Sequence, residues 1–194
     1  MLQAKNNPFS GGWETPPESR HPCITLIGMP GSGKSTLGTH VASNLAWAFV
    51  DTDHIMEAWY GLILEEIRNR LGREKFLQAE EQAILSLNVS RSVIATGGSV
   101  IYSPSAMQAL KNRGVVVYLQ ADYQVIQDRV ALNPERGLVL GANQTLLELF
   151  QERTPKYESY ADLKVRTDRF SLQESARHIS EWFETYGQHI RSTQ

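Results

Sequence analysis

Residues 28–36 read GMPGSGKST, a run of glycines broken by a lysine and hydroxyl side chains. Backbone N–H groups can wrap phosphate oxygens only where side chains leave them uncovered, which is what glycine provides. The spacing Gly28-x-x-x-x-Gly33-Lys34-Ser35 is that of a Walker A loop, and its flanks agree. An apolar CITLI precedes it and a helix-like TLGTHVASNLAWA follows, so the positive end of a helix faces the anion. Lys34 is placed to reach the outer phosphates and the Ser35 hydroxyl to ligate Mg²⁺. Gly31, Ser32 and Thr36 complete the cradle. A glycine-rich turn without a ligand is the competing reading, and the matching flanks count against it. A nucleoside triphosphate is expected here.

What becomes of its terminal phosphate is decided elsewhere in the chain. A GTPase needs Asn-Lys-x-Asp to read guanine and an Asp-x-x-Gly switch, and neither occurs. A mechanical ATPase carries an apolar strand ending in a catalytic carboxylate, whereas the third strand here ends SVIATGGS. A small kinase remains. Asp51-Thr52-Asp53 follows the second apolar run; if the strand continues extended, both carboxylates share one face. One would then hold the water shell of Mg²⁺ and the other orient an acceptor hydroxyl. Asp53 also precedes HIMEAWY, so it reads equally as a helix N-cap, and both readings stand.

These residues need a scaffold. Strands are predicted at 23–27, 48–51, 92–96, 115–120 and 163–167, three of them almost continuously apolar, as strands buried on both faces are. Helical periodicity joins Leu37, Val41 and Leu45, and later Leu172, Ala176, Ile179 and Phe183. Strand–helix alternation of this kind predicts a parallel sheet with helices on both faces. Residues 132–143, LNPERGLVLGAN, interrupt it. They read as an exposed connection or as a lid closing over the nucleotide, and Arg136 within them favours the lid.

Composition narrows the class. The chain has 194 residues, 41% hydrophobic and 21% charged, with a net charge of −2 and 19 scattered basic residues. That suits one globular domain, 21–194, and gives no electrostatic footprint for nucleic acid. No run of ~18 apolar residues suggests a membrane span. The lone Cys23 cannot make an internal disulfide, which favours a reducing compartment, and its place in a buried strand marks a structural thiol. Residues 1–20, rich in Pro, Gly, Asn and Ser, are expected to form a mobile extension with Phe9 and Trp13 as its only anchors.

Over nearly all of 23–187 the chain resembles the shikimate kinases. GMPGSGKST, FVDTD, GREKFLQAE, VIATGG, NRGVVVYL and RTPKYESYAD occur in that family's order with similar spacing. The resemblance implies a three-layer α/β P-loop kinase fold, with five parallel strands in the order 2-3-1-4-5 and a short lid. It implies transfer of the γ-phosphate of ATP to a ring hydroxyl of shikimate, with Mg²⁺, in aromatic amino acid biosynthesis, by a cytoplasmic enzyme that could act as a monomer. By the same resemblance Asp53 would hold the accepting hydroxyl and help remove its proton, with Asp51 on the Mg²⁺ water shell. Phe76, Gly97 and Gly98 would shape the acceptor pocket, and Arg153 would grip the acceptor's carboxylate. Arg136 would stabilise the transferring phosphoryl group. Arg129 would lie on the adenine face, opposite the 167–172 loop that carries Arg169.

Three positions depart from the family pattern. Leu77 replaces a pocket arginine, Ser99 replaces the third glycine of a triplet, and Arg136-Gly137 replaces Arg-Pro in the lid. A lost charge-assisted hydrogen bond costs about 1.5–3 kcal/mol, roughly a ten- to hundredfold loss of affinity. Arg73, one helical turn before Leu77, is a candidate to restore the clamp. Otherwise, with Leu77 apolar and Glu80 lacking the arginine that the family pattern would pair with it, the pocket would favour a less anionic acceptor or an amino-alcohol. A non-catalytic ATP-binding module is the remaining alternative, and retention of Lys34, Ser35, Asp51 and Asp53 together argues against it.

Overall fold

The computed structural model describes residues 22–132 and 144–191, with side chains to residue 186. The 1–20 extension and nearly all of the 132–143 loop, Arg136 included, lie outside the described residues. The chain runs β1 (Cys23–Ile27), α1 (Lys34–Leu45), β2 (Ala48–Asp51), α2 (Thr52–Tyr60), α3 (Leu64–Leu85) and β3 (Ser92–Ala95). A 3-10 turn (Val100–Tyr102) leads to α4 (Pro104–Arg113), β4 (Gly114–Gln120), α5 (Tyr123–Ala131), α6 (Leu146–Tyr160), β5 (Leu163–Arg166) and α7 (Leu172–Arg191).

The five strands form one parallel sheet in the order β2-β3-β1-β4-β5, as expected. Strand ends differ from the predicted ones by a residue at three places: β3 and β5 stop earlier and β4 starts earlier. Alternate residues of β4 explain its unbroken apolar sequence. Val116 and Tyr118 pack with Met107, Leu110 and Ile126 of α4 and α5 on one face. Val115, Val117 and Leu119 pack with Leu37, Val41, Ile179 and Phe183 of α1 and α7 on the other. Both faces are covered, so neither can be polar.

A smaller cluster, Met56, Ile67, Phe76, Ala79 and Ala83, joins α2 to α3 beyond the sheet edge. Helix α3 is broken at Gly72, whose φ of 71° and ψ of 170° no helix contains. Because β3 lies between β2 and β1, the chain segments leaving these three strands at their carboxyl ends meet side by side. In parallel α/β sheets that edge is where ligands bind.

Candidate active site

Strand β1 ends at Ile27 and α1 begins at Lys34, so Walker A residues 28–33 form the connection between them and Lys34, Ser35 and Thr36 open the helix. Gly33 caps α1 in the left-handed region, at φ 96°, with no side chain on the helix's first amides. Those N–H groups face outward as anion donors. Lys34 arches back over the loop, its Nζ donating to the carbonyls of Gly28 (2.9 Å) and Met29 (3.0 Å). Ser32 is buried, and Thr36 lies exposed on the first turn of α1.

The carboxylate pair departs from the extended-strand expectation. Strand β2 stops at Asp51 and the helix starts at once, so the N-cap is Asp51 rather than Asp53. Asp51 Oδ1 accepts the Asp53 amide at 3.1 Å, and Oδ2 accepts the Ser35 hydroxyl at 2.7 Å. Asp53 sits in the first turn of α2, and its Oδ1 is buried without a hydrogen-bond partner. Burial above all, and then the Asp51 charge, push its carboxyl up to about 6. The two acids thus reach one cavity by a cap and a helical turn, not by sharing a strand face.

Beyond β3, Gly97 and Gly98 form the cavity floor. A Cβ on Gly97 would stand 3.1 Å from Asp53 Oδ1 and collide with Glu80 Oε1; one on Gly98 would stand 3.1 Å from Arg153 Nη1. Only glycine fits where three charged groups converge so closely. Arg153 is 1% exposed, although a charged residue on a helix usually faces solvent. Its Nε donates to the Tyr102 hydroxyl at 3.2 Å and its guanidinium lies 5.2 Å from that ring's centre. The Tyr157 hydroxyl, one turn further along α6, donates to the Gly98 carbonyl at 2.5 Å and pins the floor.

These groups surround a cavity of about 540 Å³. Gly31, Gly33, Lys34, Ser35, Asp51 and Asp53 line one side, and Phe76, Glu80, Gly97, Gly98 and Arg153 the other. Arg129 lies apart, bridging the Gly31 and Thr167 carbonyls at 3.2 Å each, so it ties the phosphate loop to the segment after β5. Arg169 is exposed on that segment. Ser35 and Asp51 suit a hard divalent cation that keeps most of its water shell, which asks for few protein ligands. No cluster of three or more His, Cys, Asp or Glu able to hold a metal exists among the described residues.

The departures from the family pattern gather around Glu80. The Ser99 hydroxyl donates to Glu80 Oε2 instead of projecting freely into the pocket. Leu77 lines not the main cavity but a neighbouring one of about 230 Å³, also lined by Glu80 and Ser99. Arg73 does not line the main cavity; it follows the break at Gly72 and lies 5.6 Å from the Tyr102 ring centre. Glu80 itself has a signal in the sequence. Phe76, Ala79, Glu80, Ala83 and Ile84 fall on one helical stripe, so a carboxylate interrupts an apolar face.

Burial is the main reason the Glu80 carboxyl is raised to about 8. A carboxyl raised above its ordinary range by folding adds stability that is complete below that range and lost as pH climbs through about 8. Glu80→Gln, which keeps the shape of the protonated acid, should therefore melt with the parent at pH 5 and several degrees above it at pH 8.5. Parallel melting curves from pH 5 to 8.5 would contradict the buried, unpaired carboxylate.

Fold and cavity together define a P-loop phosphotransferase, with a phosphate cradle on one wall and charged groups for a small acceptor on the other. The family model described as shikimate kinase matches residues 30–184. A shikimate kinase of Paracidovorax citrulli is 38% identical over 151 residues, covering 75% of this chain and 82% of that protein. One from Thermodesulfovibrio yellowstonii is 37% identical, covering 83% of this chain and 94% of that protein. The solved shikimate kinase of Acinetobacter baumannii, in complex with shikimate, superposes with a TM-score of 0.79 at 30% identity, over 86% of this chain and 94% of that one. The chain belongs to the shikimate kinase family.

Proposed function

We propose that the protein transfers the γ-phosphoryl group of ATP to a ring hydroxyl of shikimate, forming shikimate 3-phosphate and ADP. The observation that carries this reading is Asp53 Oδ1, buried without a partner between the phosphate cradle and Arg153. The shikimate-bound Acinetobacter structure supports the choice of acceptor.

In this mechanism the P-loop amides and Lys34 hold the outer phosphates, while Arg153 takes the acceptor's carboxylate and so sets the ring in the cavity. Asp53 accepts the hydroxyl's hydrogen bond and turns an oxygen lone pair toward the γ-phosphorus. As the new oxygen–phosphorus bond forms, the bond to the β,γ-bridging oxygen breaks, ADP leaves with that electron pair and the hydroxyl proton passes to Asp53. Phosphoryl transfer asks a protein mainly for positioning and positive charge. Ser35 and Asp51 would hold Mg²⁺, which neutralises phosphate charge when bound. Arg136 is the second cation we assign to the phosphoryl group, and Arg129 with Arg169 flank the adenine. We also take residues 21–194 as one catalytic domain acting as a monomer in the cytoplasm. The continuous sheet and the buried free Cys23 fit that reading.

Coupled measurement of ADP release tests the assignment. With ATP, Mg²⁺ and shikimate, kcat/KM of about 10⁴ M⁻¹s⁻¹ or more is expected, in the ordinary enzymatic range. ADP release that ignores added shikimate would refute it.

A further inference from the structure

Glu80 lines the same cavity but has no task in the chemistry above. It is 7% exposed and makes no salt bridge among the described residues. Ser99 holds Oε2, which leaves Oε1 standing over Gly97 beside Asp53 Oδ1. Arg153 Nη1 stands over the next residue, Gly98. Consecutive Cα atoms are about 3.8 Å apart, so the three groups gather around one short stretch of the cavity lining. A buried carboxylate without a cation is costly, and an ammonium arriving beside it offsets that cost.

We propose that the acceptor pocket also takes hydroxylated α-amino acids, with the ammonium on Glu80, the carboxylate on Arg153 and the side-chain hydroxyl on Asp53. The inference rests on the reading of this cavity as the acceptor site and extends it to a second class of acceptor. Each charge of the zwitterion meets its opposite, and the hydroxyl meets Asp53 Oδ1, a buried oxygen without a donor. Ser99 is the positioning residue, fixing the Glu80 carboxylate so that one oxygen faces the ligand. The reaction is unchanged in its balance: the hydroxyl oxygen gains phosphorus, ADP leaves and the proton goes to Asp53.

Proton uptake and release give a second line of support. Burial raises the Glu80 carboxyl to about 8; Asp53 of α2 raises it further, while Ser99, Arg153 of α6 and Lys34 of α1 lower it. An ammonium beside it restores the ionised form, so an amine should expel close to one proton on binding at pH 7. A neutral hydroxyl in the same place should not.

The test compares L-homoserine with 4-hydroxybutyrate, which lacks only the amine, and with shikimate. The amine should raise kcat/KM about 10- to 100-fold over its deaminated counterpart, the worth of one charge-assisted contact. Glu80→Gln should bring that ratio near one, and calorimetry of the wild type in two buffers should show proton release with homoserine alone. An equal kcat/KM for the two four-carbon acceptors, or a preference that survives Glu80→Gln, overturns the proposal. If shikimate is turned over while the pair is not discriminated, only the amine site falls. If homoserine is turned over and shikimate is not, only the shikimate reading falls. Absence of ADP release with all three, together with no proton release on homoserine binding, removes both.

Discussion

Lys34→Ala is expected to lower kcat by about 10²–10³-fold, the cost of deleting one preorganised donor aimed at charge that develops in the transition state. ATP should also bind more weakly, because the ammonium is the one side-chain cation rising directly from the cradle. Its bonds to the Gly28 and Met29 carbonyls mean that part of the effect is loss of loop shape. Titration with ADP separates the two contributions. A variant whose loop alone is disturbed loses ADP affinity to the same degree as ATP affinity, whereas loss of an outer-phosphate contact penalises ATP more. An unimpaired variant would remove the lysine, and the cradle with it, from the mechanism.

The second large effect concerns the acceptor side. Asp53→Asn should depress kcat by about 10²–10⁴-fold, the range for a positioned general base, and leave nucleotide affinity nearly intact. Its pH signature is specific. The base works ionised, and its carboxyl is held up to about 6, chiefly by burial and then by the Asp51 charge. Wild-type kcat/KM should therefore climb from pH 5 to 7 and level off, whereas residual activity in the variant should lack that rise. Collapse of ATP binding in Asp53→Asn would instead place the residue on the metal side of the site.

Much of the scaffold was legible because burial on both faces leaves β1, β3 and β4 almost no polar residues, and helical periodicity brackets them. The cradle was legible because its chemistry restricts residue types at fixed spacing. The Asp51–Asp53 geometry was not, because a strand's alternation says nothing about where the strand stops. Here the first aspartate caps a helix, and the second turns into the cavity from that helix. Arg153 was reached only through resemblance, since periodicity alone puts a helical arginine in solvent. Its burial depends on Tyr102, far away in the chain, whose hydroxyl and ring receive the guanidinium. Glu80 was legible as a carboxylate that lacks, at Leu77, the arginine the family pairs with it; its convergence with Asp53 over Gly97 was not.

The strand order has a cost during synthesis. Ile24 of the central strand pairs with Val93 on one side and Val115 on the other, so neither neighbour of β1 is the strand that follows it in sequence. The first strand to leave the ribosome thus waits for partners made much later, with both apolar faces unprotected. Closing such long loops before any pairing rewards them slows folding, and the waiting segment, CITLI, is where a nascent chain of this family member is most exposed to aggregation and most in need of a chaperone.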